Sequence, residues 1–169
     1  MKRLFGLIFG FVIFSVFIGC STTERLAMSS LYSISNDSKE DIRGTLNVSR
    51  LLIFKGIAMF SNEVVTIDKF TQNEQSLFSV TVQYLGPDWR FLQEIILKID
   101  DDLITLKDDK PSRTVNRTAN VTVTEIVACI MNQTVIEKLK NCNSLIIQYY
   151  KKPITIPPEG IDAIKGFLQ

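Results

Sequence analysis

Between positions 78 and 84 the chain alternates strictly, with Phe78, Val80, Val82 and Tyr84 separated by Ser79, Thr81 and Gln83. Successive side chains of a strand point to opposite faces, so this period of two predicts a strand with one face in a core and the other in water. Gly86-Pro87-Asp88 supplies turn chemistry after it, and residues 89–99 predict a further strand, long enough to twist or bulge. Asp100-Asp101-Asp102 reads as a hairpin loop into a strand over 103–107, which Asp108-Asp109-Lys110-Pro111 ends. Residues 115–130 predict another long strand, with Thr122 and Thr124 alternating against Val121 and Val123. Upstream, residues 48–54 and 64–67 predict strands, with Lys55-Gly56 and Ser61-Asn62 as interruptions or a bulge.

Beyond residue 131 the period changes. Asn132 suits a helix cap, and Val135, Ile136, Leu139 and Cys142 share one side of a helix running to about residue 141. Residues 145–150 predict a strand. Pro157-Pro158-Glu159 suits a helix start, and Ile161, Ile164, Phe167 and Leu168 give a final amphipathic helix. Gly160 and Gly166 each weaken that helix by about 1 kcal/mol relative to alanine, so it must gain stability by docking. Strands first and helices late predict an α+β fold: an antiparallel twisted sheet with one or two C-terminal helices covering one face. No internal repeat is present.

The amino terminus follows a different logic. Lys2 and Arg3 precede an apolar run over residues 4–19, broken only by Ser15, and Phe17-Ile18-Gly19 stands directly before Cys20. Positive start, short apolar core and small terminal residue form the layout of an export signal. An uncleaved membrane anchor and an ordinary cleaved secretory signal are the alternatives, but a bilayer span takes roughly 20 apolar residues and this run is shorter. A small residue followed by cysteine at this place resembles the lipobox of bacterial lipoproteins. The resemblance covers residues 1 to about 23, with Phe17 standing where leucine is most usual. It implies that Cys20 carries the lipid, that Gly19 is the last residue removed, and that acyl chains of palmitate type hold the protein to a membrane. Several such chains bind essentially permanently, since each buried CH₂ contributes about 0.8 kcal/mol. The absence of aspartate at Ser21 then favours the outer membrane over the inner one, facing either the periplasm or the exterior. The implied organisation is a signal peptide over 1–19, a flexible lipid-anchored tether over 20–47 with a short helix near 39–43, and one α+β domain over 48–169.

The sequence holds 19 basic and 18 acidic residues, and removal of Lys2 and Arg3 leaves 17 against 18. Nucleic-acid binding rests on phosphate neutralisation, so a chain without basic excess or a Lys/Arg cluster is no candidate for it. Histidine is absent from the sequence, which removes Ser-His and Cys-His nucleophile pairs. No Gly-x-Ser-x-Gly elbow or glycine-rich phosphate loop is present, so the chain is read as a non-enzyme without cofactors. Cys129 and Cys142 would be separated by about 15 Å of helix, against the roughly 7 Å a disulfide spans, so both are expected as buried free thiols. The aspartates at 100–102 and 108–109 are expected as turn residues in preference to a cation site. Trp89 is expected as a core or rim aromatic. Tyr149 and Tyr150 are expected one inward and one outward, with Lys151 and Lys152 as a charged strand end. Sequons at Asn36, Asn47, Asn116, Asn120 and Asn132 would matter only in a eukaryotic secretory route. The functional expectation is an envelope protein acting as a non-catalytic binding or assembly component with an envelope protein partner. The alternative is a carrier of a small apolar ligand in a pocket between sheet and helices.

Overall fold

Tight turns fix the register of the strands. The structure, a computed structural model, describes residues 30–41, 44–58, 61–117 and 121–169. β1 (Ile34–Asp41), β2 (Gly44–Ala58), β3 (Ser61–Gln72) and β4 (Gln75–Gly86) form a continuous antiparallel meander. Between β3 and β4 the turn residues Asn73 and Glu74 both take positive φ, the geometry whose twist suits a two-residue hairpin. β5 (Glu94–Ile99) and β6 (Asp102–Lys107) form the next hairpin, and β7 (Ser112–Asn116) and β8 (Thr122–Ile130) another. α1 (Gln133–Asn141), β9 (Leu145–Tyr149), β10 (Lys152–Ile156) and α2 (Pro158–Phe167) complete the chain.

The strands sort into two antiparallel sheets. One has six strands in the order β1-β2-β3-β4-β8-β7, the other four in the order β10-β9-β5-β6. Both sheets and both helices contribute to one apolar core, which joins Ile67, Val80, Val82 and Val127 to Ile95, Leu97 and Ile147, and to Leu139 and Ile164 of the helices. Among the described residues the fold is therefore sheet-dominated with two short helices, one of them C-terminal.

The helix ends behave as their sequences demand. Asn132 Oδ1 accepts from the Val135 N–H at 3.0 Å, capping α1. In α2, a Cβ on Gly160 would meet Ile156 Cγ2 and Tyr32 Cε1, each at 2.7 Å, so that glycine is the space into which Tyr32 packs. Gly166 faces open space. Gly166→Ala is therefore expected to stabilise the domain by up to about 1 kcal/mol. Gly160→Ala is expected to destabilise it by about 1–2 kcal/mol, because the overpacking exceeds the helix-propensity gain. Urea midpoints of the two variants should shift in opposite directions.

Several expectations require correction. β1 and the first residues of β2 lie in the stretch expected as tether, and residues 39–41 are strand where a helix was expected. Polar side chains suit an edge strand, and ladder pairing from Ile34↔Leu51 to Asp41↔Gly44 supplies the hydrogen bonding that composition does not reveal. Lys55, Gly56, Ser61 and Asn62 all lie inside strands, and the bulge comes earlier, between Leu52 and Phe54. Residues 89–93 are loop, so β5 is only the second half of the expected strand. The expected long strand over 115–130 folds back on itself as β7 and β8, with Val115 opposite Val123. β10 was not expected, since Lys151 and Lys152 read only as the charged end of the strand before it; it carries Pro153 on the outermost strand of its sheet, where a missing N–H does no harm. Finally, the polar face of β4 is not in water: Ser79, Thr81 and Gln83 are as buried as their apolar neighbours.

Candidate functional site

One row of side chains crosses the six-stranded sheet near its end. Glu63 on β3 lies opposite Tyr84 on β4, Tyr84 opposite Glu125 on β8, and Glu125 opposite Arg113 on β7. Period two puts all four on the core-facing side, which places two carboxylates where apolar residues are the rule. Burial of a carboxylate is tolerable only when donors surround it, and both have them.

Glu125 is fully buried and gathers the loop after β4. Its Oε1 accepts from the backbone N–H of Arg90 and, at 3.1 Å, from that of Phe91; its Oε2 accepts from the N–H of Leu92 at 2.9 Å. The Arg113 guanidinium lies alongside at 3.4 Å and donates to the Leu92 carbonyl at 2.9 Å. A carboxylate holding three successive amides fixes the loop backbone as a turn. That explains why residues 89–93 leave the strand they were expected to join.

Glu63 performs the second half of the clamp. Its Oε1 accepts from Arg90 Nη1 at 2.5 Å and its Oε2 from the Tyr149 hydroxyl at 2.7 Å, so it ties the loop to β9 of the other sheet. Burial, with the Glu63 carboxylate beside it, pushes the Tyr149 phenol well up, and the hydroxyl stays a donor at every ordinary pH. The Arg90 guanidinium lies 3.9 Å from the centre of the Tyr84 ring and 5.8 Å from that of Tyr150, cation–π geometry on a partly desolvated arginine. The Tyr84 hydroxyl bends over Gly86, where any Cβ would collide with it.

This framework displays aromatic side chains at the surface. Phe91 is 65% exposed and adopts φ +53°, an uncommon and strained conformation for a bulky residue. Tyr150, in the β9–β10 turn, also takes φ +53° and is 51% exposed. Trp89 is half-buried with its ring 6.3 Å from that of Phe91, and Arg113 lies 5.7 Å from the Phe91 ring. Lys151 lies 5.7 Å from the Tyr150 ring. The expectation of one tyrosine inward and one outward holds, but Tyr150 joins Trp89, Phe91, Arg90, Arg113 and Lys151 in one rim. Sequence reasoning did not find Glu63, Arg90, Arg113 or Glu125. A signal was present for Glu125, which shares strand parity with Val123 and Val127: a charge at a core position.

The rim is aromatic and basic, on a support held by buried carboxylates. Both buried carboxylates are engaged by donors and the tyrosine between sheets is held protonated, so the groups are spent on shape. No protein-family model, curated protein or solved structure matches this chain.

The other singled-out residues are distributed elsewhere. Gly19 and Cys20, with Phe17, Ile18 and Ser21, lie outside the described residues. Asp100 stands at φ +50° in the β5–β6 turn, and its Oδ1 accepts from the N–H groups of Asn143 and Ser144 at 3.0 and 2.8 Å, which holds its carboxyl below the usual range. Asp102 pairs with Lys138, and Asp108 accepts from the Lys110 and Ala128 N–H groups, both at 2.9 Å. These aspartates thus serve separate turns, and among the described residues no three His, Cys, Asp or Glu residues converge on a metal position. Cys129 and Cys142 are buried free thiols, and burial, with Asp108 nearby, pushes the Cys129 thiol up to about 12. A shallow depression of about 530 Å³ beside α1 is lined by the side chains of Gln133, Thr134, Glu137, Lys138 and Asn141. No helix among the described residues is long and apolar enough to cross a membrane.

Proposed function

We propose that this chain is a lipid-anchored protein of a bacterial envelope, acting as a non-catalytic binding or assembly component through the aromatic and basic rim. The observation that carries the binding reading is Glu125: a buried carboxylate holds three backbone amides so that Phe91 projects outward in a strained conformation. Strain of about 1–3 kcal/mol persists only where the surroundings enforce it, and such places concentrate at binding sites. Aromatic and arginine side chains on a rigid support are also the composition of interface hot spots. The anchoring reading rests on residues 17–20 and on the likeness of that segment to a lipobox. Outer-membrane placement follows from Ser21.

Two experiments test this. Cells fed an alkyne-tagged palmitate should label the wild-type protein, and Cys20→Ala should abolish the label and leave a mass that still includes residues 1–19. Labelling that persists in Cys20→Ala would remove the anchor assignment. Phe91→Gly relieves the positive φ and is expected to raise stability by up to about 1 kcal/mol. Together with Tyr150→Ala it should abolish photo-crosslinks formed from a probe at Lys151 in cells. Unchanged crosslinks would refute the rim as the binding surface.

A further inference from the structure

A sheet edge left open is a template for another strand, and this fold guards its edges unequally. One sheet ends on β1 and β7, the other on β10 and β6. β1 sets Asp37, Lys39, Glu40 and Asp41 along its edge, β7 has only five residues, and β10 carries Pro153. β6 lacks these protections. It pairs with β5 over its whole length without a bulge, and the run Leu103-Ile104-Thr105-Leu106 holds no charge, proline or glycine. Ile104 and Leu106 pack toward the core. Leu103 is 71% exposed on the outer face, opposite Lys98 and diagonal to the half-buried Ile96.

The hairpin register decides which amides point outward. A two-residue loop closes β5 and β6 on the pair Ile99 and Asp102, so Asp102, Ile104 and Leu106 bond to β5. The Asp108 N–H continues that series, donating to the Gln93 carbonyl at 3.0 Å. Leu103, Thr105 and Lys107 therefore direct N–H and C=O away from β5. Among the described residues no strand or backbone group is hydrogen-bonded to them there.

We infer that this edge pairs with β6 of a second copy, antiparallel about a two-fold axis normal to the sheet. Such an axis keeps the core-facing sides together, so only residues of like parity stand opposite one another. With Thr105 opposite itself, Leu103 would face Lys107, and Asp102 would face Asp108 of the second copy. With Ile104 opposite itself, Leu103 meets Thr105, and the exposed Lys107 comes across from the exposed Asp101 at both ends. Opposite charges select the second register. The strand thus complements itself, which favours a second copy over a foreign strand. Backbone hydrogen bonds then join Leu103 of one copy to Thr105 of the other, and the two smaller sheets merge into one. The pairing rests neither on the rim nor on the lipid anchor.

The test is amide exchange resolved residue by residue, on the full chain in detergent micelles. Protein is varied from about 10 µM to about 1 mM, the range in which small interfaces assemble. Exchange at Leu103 and Thr105 should slow by about tenfold or more as concentration rises, while Ile104 and Leu106 stay protected throughout. Fast exchange of both outward amides at every concentration would overturn the inference. Protection independent of concentration would do so too, since it means an edge covered within the chain. Association that leaves these amides exchanging would place the contact elsewhere and equally overturn it. Thr105→Pro removes an outward N–H without touching the ladder to β5, and Leu103→Lys adds a charge to the edge; each should abolish the slowing. Where the proline opens the hairpin, seen as lost protection of Ile104, Leu103→Lys decides. Lys107→Glu should raise the concentration needed by about threefold or more, and adding Asp101→Lys should restore it. Slowing that survives Leu103→Lys, or a charge swap without rescue, would refute this pairing.

Discussion

Glu125→Ala is expected to destabilise the domain by about 3–5 kcal/mol, the range for removing one partner of a buried charged network. Three amides of the 90–92 backbone lose their acceptor, and the Arg113 guanidinium loses its countercharge while still tethered to the Leu92 carbonyl. Each amide left unsatisfied costs about 1–3 kcal/mol if it stays buried, so the loop will open to water instead, which caps the loss. At about 2–4 °C per kcal/mol for a chain of this size, the melting temperature should fall by on the order of 10 °C. The sequence has one tryptophan, Trp89, which sits in the released loop. Its emission should shift to the red before global unfolding in urea, and coincident transitions would refute the clamp. Glu125→Gln keeps the shape but loses the charge and should recover part of the loss.

Glu63→Ala should follow at about 3 kcal/mol, because it strands both the Tyr149 hydroxyl and Arg90. Tyr149→Phe alone removes one hydrogen bond whose acceptor keeps Arg90, so it should cost only about 1–2 kcal/mol. In a double-mutant cycle the combination should cost less than the sum, with a coupling of at least about 0.5 kcal/mol. Additive losses would mean that the two side chains do not act as one network. The comparison isolates the link between the two sheets, since Tyr149 belongs to the smaller sheet and Glu63 to the larger.

The sequence disclosed the elements governed by local pattern. The β4 strand, though not its expected water-facing side, the Asn132 cap, the Asp100 hairpin and the buried stripe of α2 are each set by neighbours within a few residues, and each appears where expected. What escaped depends on distant partners. β1 is polar and becomes a strand only by pairing with β2, and residues 89–93 look strand-like until a carboxylate on β8 captures them. The hairpin break between β7 and β8 was hidden because Val and Thr continue through it. At the site, Trp89 and Tyr150 were legible as residues of interest, but nothing in their spacing announces that they meet. Glu125 was the readable clue, a charge in a core register.

In the oxidising envelope proposed for this chain, the unpaired thiols Cys129 and Cys142 would make the lifetime of the folded state matter more than its equilibrium stability. Folded, Cys129 is almost wholly protonated at neutral pH and shielded from any oxidant, so it exchanges slowly. Unfolded in an oxidising compartment, both thiols regain ordinary reactivity and pair with each other or with another chain. Each excursion from the native state then risks becoming a one-way step, and survival follows the unfolding rate. Heat-denatured protein should accordingly refold only under reducing conditions.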